Sequence, residues 1–420
     1  NNQELSLDDL KFLYEVDSEI KGFGYEKDPR IEEIISKRNK RKDVAFVYDI
    51  NEDEIAFSKE EWEENKDRIK VYYGDLDLSH LISAKGLILP NIISGNLNLS
   101  SLKSAEGLTL PNIMNGNLNL SSLKSAEGLT LPNIMNGNLN LTGLKSAEGL
   151  KLPNIIKGDL YLDHLLNAEG LKLPNTIEGN LSLGSLTSAE GLVLPATIGG
   201  SLNLENLTSA EGLELPNTIK GDLCLDHLLS AEGLKLPNTV EGYLDLGSLT
   251  SVEGLVLPAT INGGLNLENL TSAKGLALPN IMNGDLDLRS LISTKGLALP
   301  NMVNGYLNLN SLTSVEELTL PDAVNGYLSL SSLTNAEGLK LPNTIEGSLF
   351  LDGLTSVEGL VLPNTIKGDL YLSSLTSIAG LVLPISLFGK VHSNITIPEA
   401  CFIPDEEYYK YKNNESIRKI

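Results

Sequence analysis

The chain has little cysteine, little positive charge and no long apolar run. Its two cysteines among 420 residues, Cys224 and Cys401, make no disulfide framework and leave the redox compartment open. No stretch approaches the ~20 apolar residues of a membrane span, so no membrane insertion is expected. Lys and Arg number 32 against 55 Asp and Glu, a formal net charge of −23. So acidic a surface repels nucleic acid and anionic membranes, and no nucleic-acid partner is expected. Also missing are a nucleophile–base pair, a zinc-type spacing, a phosphate-binding glycine loop and a dinucleotide glycine pattern. These gaps point away from an enzyme, a cofactor, a catalytic residue set or a metal site.

What is present is a period. A glycine recurs every 21 residues from Gly74 to Gly389 without insertion or deletion, and Leu-Pro pairs keep the same beat from Leu89-Pro90 to Leu383-Pro384. Fifteen complete rungs therefore fill residues 74–388. Self-similarity at so short a period means a solenoid, because one rung cannot bury its own apolar face and must stack on its neighbours.

Counted from the glycine, apolar residues fall at +2, +4, +7, +13, +15 and +19, which are Leu76, Leu78, Leu81, Leu87, Leu89 and Ile93 in the first rung. Leu-x-Leu alternation reads as a short strand with both leucines inward and +1, +3 and +5 outward. Glycine recurs at +12, Glu317 being the exception among complete rungs. Glycine at two fixed places implies turns with positive φ or close backbone approach. The proline ends the second strand-like pair, and the Pro-Asn step that follows in most rungs is a turn signal. Asparagines stacked there are expected to hydrogen-bond from rung to rung, with Ala196, Ala259, Asp322 and Ile385 as breaks. Three bends per rung leave no room for a helix of two or three turns. At the strand spacing of about 4.8 Å, fifteen rungs make a rod of roughly 70 Å.

These rungs resemble leucine-rich repeats, and more closely the receptor L-domain variety, whose strand reads Ile-x-Gly-x-Leu-x-Leu; here it is Ile219-Lys220-Gly221-Asp222-Leu223-Cys224-Leu225. Leu228 stands where the standard pattern has Asn or Cys, which favours a straighter, β-helix-like coil. The resemblance implies binding to another macromolecule. The expected fold is mainly β: an elongated right-handed β-solenoid, or leucine-rich-repeat-like coil, over 74–388. An α/β capping domain over 1–73 and a short cap and tail over 389–420 complete it.

Within 1–73, Ser6 should cap a helix carrying Leu7, Leu10, Leu13 and Val16, with Asp9 completing a capping box. Asp28-Pro29 should open a second helix bearing Ile31, Ile34 and Ile35. Strands are expected at Val44–Tyr48 and Ile55–Phe57, then a helix after Ser58 around Trp62, the single tryptophan. A solenoid end exposes an apolar cross-section unless covered, which gives this piece a capping role. The basic run Lys37-Arg38-Asn39-Lys40-Arg41-Lys42 falls where the second helix should end, where cations complement the helix dipole. From Ile385 the period is expected to lapse. Ile395-Thr396-Ile397 should then add a strand, and Glu406–Lys419 a helix whose Tyr408, Tyr409 and Tyr411 pack on the open end.

His80, His164 and His227 share place +6, where variation at a repeat corner explains them better than metal ligation. Glutamates run along +11 from Glu106 to Glu358, interrupted by Lys274 and Lys295, and read as a solvated edge with Lys151, Lys172, Lys235 and Lys340 as plausible partners. The outward sheet face changes along the chain. Rungs two to four repeat asparagines (Asn96/Asn98, Asn117/Asn119, Asn138/Asn140), whereas later rungs bring Tyr306, Tyr327, Phe350 and Tyr371 near Asp285, Asp287 and Asp369. Aromatics on a rigid sheet are favoured interface anchors. The expected function is thus a non-enzymatic scaffold binding a protein or peptide through this face. The near-copied blocks 158–220 and 221–283 suggest instead a spacer or adhesin-like rod, and a third reading places an activity in 1–73.

Overall fold

The computed structural model describes residues 5–16, 28–316 and 318–398. The repeats form a parallel-stranded β-solenoid of about fifteen turns. Contacts divide the chain into two compact units, residues 1–183 with 193–200, and residues 184–192 with 201–420. In the first unit, outer-face strands Leu76–Asp77, Leu97–Asn98, Leu118–Asn119, Leu139–Asn140, Leu160–Tyr161 and Leu181–Ser182 stack in parallel. In the second, the same ladder runs from Leu202–Asn203 to Val391–Ser393. Register is leucine on leucine, as in Leu202↔Leu223 and Leu223↔Leu244. A second set of short strands, such as Thr239–Val240 and Thr260–Ile261, stacks at places +18 and +19.

Rung 221 shows why the sequence coils this way. Leu223, Leu225, Leu228, Ala231, Leu234, Pro237 and Val240 are buried. From Leu225 to Val240 the chain turns inward at every third residue, a spacing that the period-two reading of Leu-x-Leu-Pro did not anticipate. Leu236, expected inside, therefore lies at the rim, half-buried, and Ala231 and Pro237 take inward places instead. Two tight turns set the bends: Leu228 N–H donates to Leu225 O at 3.1 Å, and Leu234 N–H to Ala231 O at 3.0 Å. Gly233 has φ +75° in the second, a backbone that L side chains rarely adopt. Ser230 Oγ accepts from Glu232 N–H in that turn at 3.1 Å. The glutamate column is exposed, and among the described residues no ion pair joins it to the lysines at +14. Glu317 lies outside the described residues.

The asparagine ladder exists, but elsewhere. At the Pro-Asn step the rungs are joined by backbone bonds, Asn238 N–H to Asn217 O at 2.9 Å and Ala259 N–H to Asn238 O at 3.1 Å. Ala259 and Asp322 therefore leave that column unbroken. A side-chain ladder sits at +1, where in most rungs a side-chain oxygen accepts the next rung's N–H: Asn96 Oδ1 from Asn117, Asn117 Oδ1 from Asn138 and Asp222 Oδ1 from Tyr243, all at 2.7 Å.

Helix α1 (Leu7–Leu13) carries the expected capping box between Ser6 and Asp9, and α2 (Pro29–Ser36) starts behind Asp28. Val44–Tyr48 is not a strand; it belongs to α3 (Lys40–Tyr48). Asn39 Oδ1 caps its start and Asp49 ends it in a left-handed conformation. Val44, Ala45 and Val47 then pack with Leu10 and Leu13, so capping and burial override the β preference of the run. Ile55–Ala56 is a strand as expected, and α4 (Lys59–Glu64) buries Trp62. Ile55–Ala56 and Val71–Tyr72 pair onward to Ile92–Ile93 and Ile113–Met114, a four-stranded sheet that joins this piece to the first +18/+19 strands.

The basic run straddles α2 and α3, and most of its cations are engaged within this piece. Arg38 grips Asp43 (2.6 Å), Arg41 grips Glu61 (2.9 Å) and Lys40 Nζ lies 4.3 Å from the Tyr73 ring centre. At the other end the period does not lapse at Ile385. Ser386–Leu387 pairs with Thr365–Ile366, and Val391–Ser393 with Leu370–Leu372. Ile395-Thr396-Ile397 is not a strand, because Val391 and Ser393 already hold the +2 and +4 places after Gly389. Cys401 and the helix expected at Glu406–Lys419, with its tyrosines, lie outside the described residues.

Leu225 is 0% exposed, so Leu225→Ala should cost about 2–5 kcal/mol through lost burial and the cavity left. Each rung bonds to its neighbours, so hydrogen exchange should show the loss confined to rungs 200–242. Loss of protection spread evenly over every rung would contradict nearest-neighbour stacking.

Candidate binding face

The face lies within the second unit. Strands Asp285–Asp287, Leu307–Asn308, Leu328–Ser329, Leu349–Phe350, Leu370–Leu372 and Val391–Ser393 pair in sequence with their inward residues in line. Because Leu286, Leu307, Leu328, Leu349, Leu370 and Val391 point inward, the residues on either side of each point outward.

Four of the expected residues are gathered by this register. Tyr306 and Tyr327 stack with centres 4.6 Å apart and planes 5° from parallel. Tyr327 meets Phe350 edge-on at 5.7 Å, the step at which the stripe moves from column +1 to column +3. Phe350 stacks on Tyr371 at 4.4 Å, and Tyr371 on His392 at 4.3 Å. The result is one continuous stripe of five half-buried rings. Sequence reasoning missed His392, although Gly389-Lys390-Val391-His392 repeats the frame of Gly368-Asp369-Leu370-Tyr371.

The three expected aspartates are occupied structurally. Asp285 Oδ1 accepts the Tyr306 N–H at 2.9 Å. Asp369 Oδ1 accepts from Lys390 N–H at 2.8 Å, while its Oδ2 bonds His392 Nε2 at 3.1 Å and takes the Tyr371 hydroxyl at 3.4 Å. The Lys390 N–H, with His392 and Tyr371, holds the Asp369 carboxyl below its usual range. Asp287 is fully buried rather than displayed. It grips the Arg289 guanidinium and accepts from Asn308 Nδ2 at 3.4 Å. Arg289 also reaches Glu268 at 3.3 Å, and Asp287 keeps it firmly protonated.

Two further features shape the face. Tyr243 reaches toward Tyr306, and burial, then that neighbour, push its hydroxyl above its ordinary value. Gly264 makes room for this reach, since a Cβ there would lie 2.9 Å from Tyr243 Cε2. The paired glycines Gly263-Gly264 were the available signal. Second, Asn308 Oδ1 is buried without a hydrogen-bond partner. In rungs 242, 263 and 284 the corresponding oxygens of Asp245, Asn266 and Asp287 accept the N–H two residues on.

Cys224 occupies the +3 column further back, half-buried, its thiol pushed up to about 11 by burial and then by Asp245 and Asp222. His227 Nδ1 pairs with Glu205 O at 3.0 Å. Among the described residues no three His, Cys, Asp or Glu side chains are grouped to hold a metal ion. No described helix is long and apolar enough to cross a membrane. Compared with family profiles, curated proteins and solved structures, the chain matches none.

Burial, and after it the Asp287 carboxylate, pushes the Tyr306 hydroxyl up to about 12. Its ordinary value is about 10. A group raised in this way stabilises the fold fully below its ordinary value and loses that contribution as pH rises through the folded one. The difference in tyrosinate absorbance between wild type and Tyr306→Phe should therefore have its midpoint near 12. A midpoint at the ordinary value would mean that Tyr306 stands free of its neighbours.

Proposed function

We propose that the chain is a non-enzymatic repeat scaffold, of the leucine-rich-repeat-like kind its rungs resemble, whose C-terminal outward face binds a protein or peptide. The observation that carries this reading is the five-ring stripe from Tyr306 to His392. Half-exposed aromatics on a rigid sheet offer large contact area with little side-chain entropy to lose, which makes them favourable anchors.

The distribution of variety supports the same face. Ser-Ala-Glu-Gly recurs at places +9 to +12 in rung after rung, whereas +3 is Asp, Asn, Tyr, Ser, Cys, Phe or His. The frame is uniform and the outward sheet is where rungs differ. Its aspartates serve the ladder and the ion pairs, an arrangement that presents a shape rather than performing a reaction.

The near-copied blocks 158–220 and 221–283 favour the second reading, a spacer whose length matters more than any face. Two variants separate them. Tyr327→Ser combined with Phe350→Ser should abolish cross-linked capture of the wild-type partners while leaving circular dichroism unchanged. Deleting 221–283 removes three rungs in register and should leave capture by the stripe intact. Capture that survives the double substitution but fails on deletion would favour the spacer.

A further inference from the structure

In the first unit the +18 strands carry an apolar column that is covered at one end and bare at the other. Rungs 74 to 137 place Ile92, Ile113, Ile134 and Ile155 there, and strand register runs upstream from Ile92 through Val71 to Ile55. Ile55 and Val71 are 1% and 0% exposed, packed with Leu10 and Leu13 of α1 and Val44 and Val47 of α3. Ile92, at the margin of those helices, is half-buried. Ile113, Ile134 and Ile155 are then 45%, 47% and 39% exposed. The helices stop and the column goes on.

The fold does not ask for isoleucine here. The same place is threonine in five successive rungs, from Thr176 to Thr260, and the strands still pair. The surround is also unlike the rest of a chain of net charge −23. In rungs 74 to 137 places +14, +17 and +20 hold no carboxylate, and rung 137 adds Lys151 and Lys157, both exposed.

Height and spacing choose the occupant. Helices α1 and α3 raise a layer about one helix diameter, roughly 10 Å, on the face beside Ile92. A second solenoid laid along the column, at the roughly 10 Å of packed sheets, would run into them. A single helix instead continues their layer. Its turns rise about 5.4 Å against a rung spacing of about 4.8 Å, so apolar residues at i, i+4 and i+7 meet the three isoleucines in succession. We propose that Ile113, Ile134 and Ile155 form a docking site, additional to the ring stripe, for one amphipathic helix of a partner protein. Carboxylates on that helix face Lys151 and Lys157.

The probe is an end-blocked, fluorescein-labelled peptide about 18 residues long, with leucines at helical spacing among glutamate and alanine. A shuffled peptide of the same composition is its control. Anisotropy is read with the full chain at physiological salt. The chain as a whole repels such a peptide, so binding reports the local face and not bulk charge. The helical peptide should bind and gain helical circular dichroism. Ile113→Thr, Ile134→Thr and Ile155→Thr together should weaken it by roughly tenfold or more, with exchange protection of rungs 95 to 137 kept. Ile134→Thr alone should weaken it severalfold. Val193→Thr, Val256→Thr and Val361→Thr remove as many exposed apolar side chains from scattered rungs and should change it by under about twofold. Lys151→Gln with Lys157→Gln should weaken it severalfold.

Absence of binding, equal binding of the shuffled peptide, or equal weakening by the valine variant overturns the proposal. Unchanged affinity in Ile134→Thr, or in a triple variant that keeps its exchange protection, does the same. Unchanged affinity in the lysine variant overturns the acidic flank. A wild type that sediments as a dimer and a triple variant that sediments as a monomer make a second copy the occupant and overturn the helix. Loss of binding in Tyr327→Ser with Phe350→Ser puts the peptide on the ring stripe and overturns this site.

Discussion

Everything in the repeat region depends on how closely one rung's backbone approaches the next at the leading glycine. A Cβ on Gly242 would lie 2.5 Å from the carbonyl carbon of Gly221, and one on Gly326 2.6 Å from that of Gly305. No side chain fits there, so the corner is glycine in rung after rung. The contact brings Gly242 N–H to Gly221 O at 3.0 Å, and just beyond it Asp222 Oδ1 takes the Tyr243 N–H. The other recurrent glycine is needed for a different reason. Gly233 turns the chain with positive φ, and a Cβ there would meet nothing closer than Ala210 O at 4.0 Å. One glycine sets the distance between rungs and the other sets the bend within them.

With spacing fixed at a backbone contact, side chains need only fill the interior and name the surface. Inward leucines at 0% exposure contribute about 1.5–3 kcal/mol each on burial, against the conformational entropy of ordering a rung made mostly of turns. Outward places are released from packing. They can carry asparagine in one stretch and tyrosine in another without altering the coil, and that freedom allows a local face such as the ring stripe to arise on a uniform frame.

Much of this was legible because the period forces it. Gly, Leu-x-Leu and Leu-Pro at fixed places imply a solenoid, and strict alternation told inside from outside at Leu223, Cys224 and Leu225. The departures have two causes. Leu236, expected inside, lies at the rim and Ala231 takes an inward place because the chain there steps by three. Val44–Tyr48, expected as a strand, is helical because the Asn39 cap and the packing against Leu10 and Leu13, distant in sequence, decide it. At the face, the aromatic residues could be read from their columns, but the fate of the aspartates could not. Asp287 and Asp285 occupy equivalent outward-looking letters in the sequence. Only the neighbouring Arg289 and Asn308 bury the first, while the Tyr306 N–H engages the second.

The contrast between the two glycines offers the most direct test. Gly233→Ala adds a side chain that only reaches ordinary contact with Ala210 O and should cost about 1–2 kcal/mol for the left-handed backbone. Gly242 has no such backbone demand, so Gly242→Ala should be the milder change if conformation alone decides. If contact between rungs decides, it should be the more damaging, with exchange of the Gly242 amide in rung 242 accelerated well beyond its rate in Gly233→Ala. An amide at Gly242 that stays as protected in Gly242→Ala as in Gly233→Ala would contradict backbone contact as the constraint that spaces the rungs.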